Sequence, residues 1–243
     1  IAIGVPNQAP VAVADAASVG ASGTVTTLDS GEASLLFNDS DPNGNSLTLQ
    51  TAPVVAPSSG SVTLNAAGTF SYTHNGNSAT SDSFTYRVCD NGSPSLCDDA
   101  VVSIAVNQPP TAAADAVSVA NGGTVTVLDS GQTSLLVNDS DPNGDGLSLE
   151  TTPVSDPANG SVTLNANGTF SYTHSGNFTG TDGFTYRVCD DGTPSQCATA
   201  AVSITIDTGD ALCLAPAQGI PDPGFTTSSR STATSSLLAD MIV

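Results

Sequence analysis

The chain is 243 residues long, with 23 acidic against three basic residues and a formal net charge of −20. The basic residues are Arg87, Arg187 and Arg230, and lysine is absent, so nucleic acid and anionic membrane surfaces, which need clustered cations, are excluded as partners. No apolar run approaches the ~20 residues that cross a bilayer, so no membrane insertion is expected, and the length suits two domains of about 100 residues each.

From the N-terminus, Ile1 opens the chain with no basic leader or cleavage site. Ile1–Val5 before Pro6-Asn7-Gln8 matches Ile104–Val106 before Asn107-Gln108-Pro109. Residues 1–6 are therefore expected to form a strand-like stub, either the end of a preceding repeat or a strand donated to another subunit. From there the sequence repeats itself one hundred residues on, without insertion and at roughly two-thirds of positions. Leu28-Asp29-Ser30-Gly31 returns at Leu128–Gly131, Gly68–His74 at Gly168–His174 and Phe84–Asp90 at Phe184–Asp190. The expected domains are a first repeat over 7–106 and a second over 107–206.

Strands are predicted in the first repeat over Val11–Val19, Thr24–Leu28, Leu47–Thr51, Ser61–Asn65, Thr69–Thr73, Ser83–Cys89 and Ala100–Val106. Thr, Val, Phe and Tyr dominate them and alternate by face: Phe84, Tyr86 and Val88 point one way, Thr85 and Arg87 the other. Asn65-Ala66-Ala67-Gly68 and Asn165-Ala166-Asn167-Gly168 have the composition of hairpin turns. No window supports a long amphipathic helix. Seven strands per repeat, punctuated by Gly, Pro and Asn, predict an all-β chain of two tandem seven-stranded, Ig-like sandwiches with a C-terminal extension.

Cys89 and Cys97 recur as Cys189 and Cys197, each pair flanking the same turn-rich loop. A disulfide closing about nine residues stabilises by roughly 2.5 kcal/mol and persists in oxidising compartments. The alternative, a metal-binding pair, lacks the C-x2-C spacing and nearby histidines. Cys213 is left over, for an intermolecular bond or a buried thiol. It lies in the tail, 207–243, whose Ser, Thr, Pro, Ala and Gly read as a linker. Yet Leu212-Cys213-Leu214 and Leu237–Val243 are apolar enough to pack, which makes the tail a candidate docking segment.

The densest polar run is Asn138-Asp139-Ser140-Asp141-Pro142-Asn143-Gly144-Asp145. Alternating oxygen-bearing side chains around a glycine suit a hard cation such as calcium. A polar turn capped by Asx hydrogen bonds is the alternative. The run fits D-x-D-x-N-G with Glu150 at the twelfth position, but no helices flank it, so it is not an EF-hand. The first copy has Asn45 and Gln50 in place of Asp145 and Glu150, so weaker calcium binding is expected there. A second cluster, Asp90-Asn91-Gly92-Ser93-Pro94 and Asp190-Asp191-Gly192-Thr193-Pro194, lies between the paired cysteines.

Phe184–Pro194, a closing strand and then Asn-Gln-Pro-Pro resembles the end of a cadherin-type repeat, and Asn138–Asp145 followed by Leu147-Ser148-Leu149 resembles its D-x-D calcium segment. With Asn159–Leu164 and Gly180–Tyr186, about 200 residues resemble the bacterial cadherin-like and VCBS-type tandem repeats of surface adhesins. That resemblance implies a calcium-stiffened extracellular stalk. It places metal ligands at Asp39 and Asp41, or Asp139 and Asp141, and at Asp90 or Asp190. With the loop oxygens of Asn43, Asn143 and Asp145, these make the candidate site set. The acidic linker motif of animal cadherins is replaced by Asn-Gln-Pro-Pro, and no mid-domain glutamate motif is present.

His74 and His174 both follow Ser-Tyr-Thr before a turn, where a hydrogen-bonding role is expected and a general base is not. Without Trp and with four Tyr, few platforms exist for sugar stacking, and without lysine no Lys–Asn isopeptide crosslink can form. The expected function is a non-catalytic extracellular structural protein on a bacterial surface. Head-to-tail self-association through the N-terminal strand and the tail would make it a fibre subunit. The alternatives are an adhesin fragment gripping a cell-surface or glycan receptor, and an accessory region of a larger secreted enzyme.

Overall fold

The structure, a computed structural model, describes residues 5–177 and 180–207. Residues 1–4 of the expected stub, and the tail from 208 on with Cys213, lie outside the described residues.

The first repeat forms β1 (Asp15–Gly20), β2 (Thr24–Val25), β3 (Leu47–Leu49), β4 (Gly60–Leu64), β5 (Phe70–His74), β6 (Ser81–Asp90) and β7 (Cys97–Asn107). The second forms β8 (Asp115–Ala120), β9 (Thr124–Val125), β10 (Leu147–Leu149), β11 (Gly160–Leu164), β12 (Phe170–His174), β13 (Gly180–Asp190) and β14 (Cys197–Asp207). In each, a four-stranded sheet, β1-β7-β6-β3 or β8-β14-β13-β10, accompanies a three-stranded one, β2-β5-β4 or β9-β12-β11. The expected all-β pair of sandwiches is what forms. β1 runs parallel to β7, and β8 to β14, while the other pairings are antiparallel. A first strand parallel to the last makes the chain enter each sandwich at one pole and leave it at the other.

Alternation along β6 and β7 buries Phe84, Tyr86, Val88, Val102 and Ile104 against Leu64, Phe70 and Tyr72 of the facing sheet. Phe70 and Phe84 meet tilted at 6.3 Å between centroids, within the range of favourable aromatic pairs. Two fully buried tyrosines need hydrogen-bond partners. Tyr72 donates to Asp82 Oδ2 at 2.8 Å. The same carboxylate accepts the backbone N–H groups of Ser58 and Ser59 at 3.0 and 2.9 Å. Burial opposes ionisation of Asp82, but these donors outweigh it and hold its carboxyl at about 2.

Four strands differ most from the sequence expectation, each for a local reason. β1 starts at Asp15 because residues 11–14 are held by other partners. Val11 bridges Ser40 alone, and the N–H groups of Ala12 and Val13 donate to Asp98 Oδ2 and Asp39 Oδ1 at 3.0 and 2.7 Å. β2 ends at Val25 because Leu28–Gly31 closes a turn, with Gly31 at φ +89° donating to Leu28 O. β6 and β7 run longer than expected because the cystine Cys89–Cys97 pairs their ends in register; Cys189–Cys197 does the same for β13 and β14.

Asp82→Ala leaves the Tyr72 hydroxyl and two backbone donors without their charged acceptor. It is expected to lower unfolding free energy by about 2–3 kcal/mol, and Tyr72→Phe by about 1 kcal/mol, in urea titrations with unchanged m-value. An Asp82→Ala protein as stable as wild type would show the network to be idle.

Candidate metal centre

β7 does not end in a linker. The Asn107 carbonyl still accepts the N–H of Ala21 in the first repeat at 2.8 Å. Its side chain already lies in the second, where Nδ2 donates to Asp190 Oδ1 at 3.0 Å and to Pro194 O at 2.9 Å. The next residue reaches both ways as well. Gln108 N donates to Asn143 Oδ1 at 2.9 Å, while Gln108 Nε2 returns to Asn77 O and Ala79 O of the first repeat at 3.0 and 2.7 Å. Asn143 Nδ2 completes the stitch by donating to Val106 O at 3.0 Å.

Around this joint the second repeat gathers oxygens. The loop before β10 folds on Asp141, whose Oδ1 accepts the N–H groups of Asn143 and Asp145 at 2.7 and 3.3 Å. The turn after β13 folds on Asp190, whose Oδ1 accepts those of Gly192 and Gln196 at 3.1 and 2.9 Å. That leaves Asp141 Oδ2, Asp190 Oδ2 and Asn107 Oδ1 buried without a donor. Asn107 and Asp190 are 4% and 5% exposed, so these oxygens have given up water. Burial, and then the charges of Asp141, Asp190 and Asp191, push the carboxyl of Asp145 up. A cavity of about 210 Å³, lined among others by Ser18, Asn107, Asn143, Asp145 and Gly192, opens between the repeats here. Gly192 is required: a Cβ there would stand 2.5 Å from both Asp145 Oδ2 and Asn107 Nδ2.

Three carboxylates and an amide oxygen without donors fit a hard divalent cation, which takes six to eight oxygens. Asn107, Asp141, Asp145 and Asp190 would hold it and water would supply the rest. Among the described residues no side-chain cation competes: Arg87 pairs with Asp99 at 2.6 Å and Arg187 with Glu150 at 3.7 Å. Of the sequence candidates, Asp141 and Asp190 lie near enough to Asp145 for their charges to reach it, but the ligand oxygens of the three do not all lie within 4.8 Å of one another. Asn143 serves the joint as a hydrogen-bonding clasp, and Asn43 does the same in the first repeat, accepting from Gln8 N at 2.7 Å. Asn107, the centre of the arrangement, was not among the candidates; its recurrence in Asn7-Gln8 and Asn107-Gln108 was the signal.

Asp39 and Asp139 turn to other partners. Asp139 Oδ1 accepts Ala113 N at 2.8 Å, and the buried Tyr186 hydroxyl lies 3.1 Å from both its oxygens; Asp39 sits likewise beside Val13 N and Tyr86. Beside each is a further carboxylate, Asp15 or Asp115, anchored on Asn38 or Asn138 at 3.1 and 3.2 Å. Burial pushes Asp15 and Asp115 up to about 6, with the neighbouring Asp39 or Asp139 charge adding to it and the Tyr86 or Tyr186 hydrogen bond opposing it. In the first repeat, Asp41 and Asp90 occupy the places of Asp141 and Asp190.

Glu150 lies at the Cys189–Cys197 bond with Arg187, away from Asp141's partners, and the sulfurs beside it are consumed in the cystine, so this trio offers no thiolate to a metal. His74 is buried, and its Nδ1 accepts the N–H groups of Ser22 and Gly76, both at 3.3 Å. The ring therefore ties two loops together at the pole opposite the Asn7 end.

This is the build of a tandem Ig-like protein whose modules join end to end. Residues 7–108 match the family model for the bacterial cadherin-like domain, and residues 107–205 that for the bacterial Ig domain. Each repeat thus matches one family, the first the bacterial cadherin-like domain and the second the bacterial Ig domain. No curated protein matches it. Solved structures similar to it include protocadherin gamma B2 extracellular cadherin domains 3–6, with 19% identity over 82% of this chain and 51% of that one at a TM-score of 0.34. Drosophila N-cadherin EC1–4 has 11% identity over 83% and 50%, at 0.35. An endo-fucoidan hydrolase of glycoside hydrolase family 107 has 19% identity over 82% and 29%, at 0.32. The chain spans about half of these cadherin structures and less than a third of the hydrolase, and at such scores the likenesses are loose. Bacterial cadherin-like and Ig-like domains with two cystines fit a non-catalytic extracellular role, structural or adhesive.

Asp15 and Asp115 titrate higher in the folded than in the unfolded chain, so folding takes up protons and stability rises as pH falls through about 6 towards about 4. Asp82, held at about 2, keeps its contribution over that window and loses it only below about 4. In EDTA the melting temperature is expected to rise between about pH 7.5 and about pH 5, and the Asp15→Asn/Asp115→Asn protein to show a flatter profile. A wild-type midpoint that falls over this range contradicts the assignment.

Proposed function

We propose that the chain is a non-catalytic, extracellular load-bearing element of a bacterial surface, two sandwiches coupled in series and stiffened by calcium at their joint. The observation that carries this reading is the joint itself, where Asn107 is shared by both repeats and lies beside oxygens that have no donors. β1 and β7 pair in parallel over six residues, so a pull on the two ends of a sandwich loads those hydrogen bonds together, in shear. The cystines sit one residue from Asp90 and Asp190 and fix the turn that receives Asn7 or Asn107. Topology, staple and cation then act on one property, resistance to bending and extension.

Calcium binding the folded state alone stabilises it by about 2.7 kcal/mol at a hundredfold excess over Kd. The melting temperature is expected to rise on adding calcium chloride and to return with EDTA, with the second repeat responding more than the first. An unchanged midpoint in both would remove calcium from this reading.

Assembly is a further part of the proposal. The first repeat presents Asn7, Gln8 and Asn43 at its outer pole in the roles that Asn107, Gln108 and Asn143 play at the joint. A second copy docking there, head to tail, would reuse a proven contact, with the tail and Cys213 available to secure it. Light scattering and electron microscopy of the full chain against a version ending at Asp207 test this. Oligomers or fibres only in the full chain are expected; identical monomers would reject self-assembly.

A further inference from the structure

The two repeats share a backbone but differ at one patch of surface. We infer that this patch in the first repeat docks a cationic, apolar segment of another protein, with a lysine or arginine stem laid along Phe37 and its charge at Asp29. The inference goes beyond the load-bearing reading and needs no calcium.

Residues 11–14 lie alongside residues 37–40. Val11 pairs with Ser40, and Asn38 Nδ2 donates to Val13 O and Ala14 O, both at 3.4 Å. Ala12 packs on the core and donates its N–H to Asp98 Oδ2 at 3.0 Å, while Val11 and Val13 face out, 48% and 40% exposed. Phe37 is 63% exposed and carries the one exposed aromatic ring among the described residues. Single exposed apolar residues are ordinary, but three on adjoining segments mark a contact surface. The second repeat holds Thr111, Ala113 and Val137 at these positions, and Ala198 in place of Asp98. The same fold is thus built without the apolar surface or the extra carboxylate, so the first repeat does not need them to fold.

Phe37 also walls a cleft of about 240 Å³ whose lining includes Asp15, Leu28 and Asp29. Asp29 is exposed, and Asp15 Oδ2 is buried without a donor. An ionised carboxylate accepts and does not donate, and the Asn38 amide is already spent on Asp15 Oδ1 at 3.1 Å and on the two carbonyls. A sugar brings donors and acceptors together and would leave its acceptors poorly served here. An ammonium or guanidinium group brings donors alone, its stem covers apolar surface, and a ring face attracts its charge. The complementary group is therefore a basic side chain beside an apolar one. The chain has no lysine, and Arg87 and Arg187 pair with its own acids, which favours another protein over a second copy as the source.

Fluorescence anisotropy of the full chain in EDTA, at about 0.15 M salt, measures binding of two labelled peptides of equal charge, one alternating Leu and Lys, the other Ser and Lys. Wild type is expected to bind one Leu–Lys peptide per chain and the Ser–Lys peptide about tenfold more weakly. Phe37→Val, the residue that the second repeat already carries, and Asp29→Asn should each weaken the Leu–Lys peptide about tenfold at an unchanged melting temperature. The Thr111→Val/Ala113→Val/Val137→Phe protein should bind two peptides. Equal affinity for both peptides, wild-type affinity in Phe37→Val or Asp29→Asn, or a single peptide on the folded triple variant overturns the inference. So does binding on an array of neutral oligosaccharides with none to the peptides, or light-scattering oligomers of the chain that Phe37→Val disperses, since each gives the surface a different occupant.

Discussion

A buried amide governs the joint between the repeats. Asn107 is the last residue of β7 by its backbone and a component of the second sandwich by its side chain. Domains joined by a linker move relative to one another by default. Here the strand that closes one sheet runs straight into the fold of the next module, and Gln108 is pinned on both sides. Because Asn107 is almost wholly buried, every polar atom of its side chain must be satisfied from inside. The nitrogen finds Asp190 and Pro194; the oxygen finds no donor. Stiffness of the joint thus comes from the same burial that leaves the amide oxygen without a donor.

The net charge of −20 is dealt with in different ways at different depths. Most carboxylates are solvated and need no partner. Those drawn into the body are costly unless paired or hydrogen-bonded. Asp82 and Asp182 are paid for by tyrosine hydroxyls and backbone N–H groups. Asp15 and Asp115, each beside a second carboxylate with only one oxygen bonded, respond by holding a proton longer. The joint leaves Asp141 Oδ2, Asp190 Oδ2 and Asn107 Oδ1 without donors, and among the described residues both arginines pair elsewhere. Proton and tyrosine are two answers to one problem, chosen by what each site can reach.

Much of this was legible in the sequence. Period-two alternation gave the strands, and equal loop lengths between cysteines gave the cystines. The D-x-D-x-N-G run and the Asp190 turn marked the acids on which the loops beside the joint fold. Spacing could not separate Asp39 from Asp41. In an extended chain residues two apart share a face, and only the third dimension shows that Asp39 meets Tyr86 while Asp41 caps its own loop. Asp15 and Asp115 gave no signal at all, being single acids in Ala-rich stretches whose meaning comes from a tyrosine 71 residues further on. Asn107 was visible as a repeated dipeptide next to proline but read as a boundary, because a residue at a boundary is normally solvated.

A tandem repeat also contains its own comparison, since one backbone carries two sets of side chains. Arg87 grips Asp99 through two hydrogen bonds, of 2.6 and 2.8 Å. In the second repeat Thr199 stands in that place, and Arg187 turns instead to Glu150, where the first repeat has Gln50. The charge has moved from one neighbouring strand to another and the arginine has followed it, so ion pairing there is conserved in effect while its residues change. At the joint the exchange runs the other way: Asn45 and Asn91 become Asp145 and Asp191, and among the described residues no side-chain cation moves in to meet them. In the first case charge is balanced within the chain; in the second the hydrogen bond to the backbone is preserved and only charge is added.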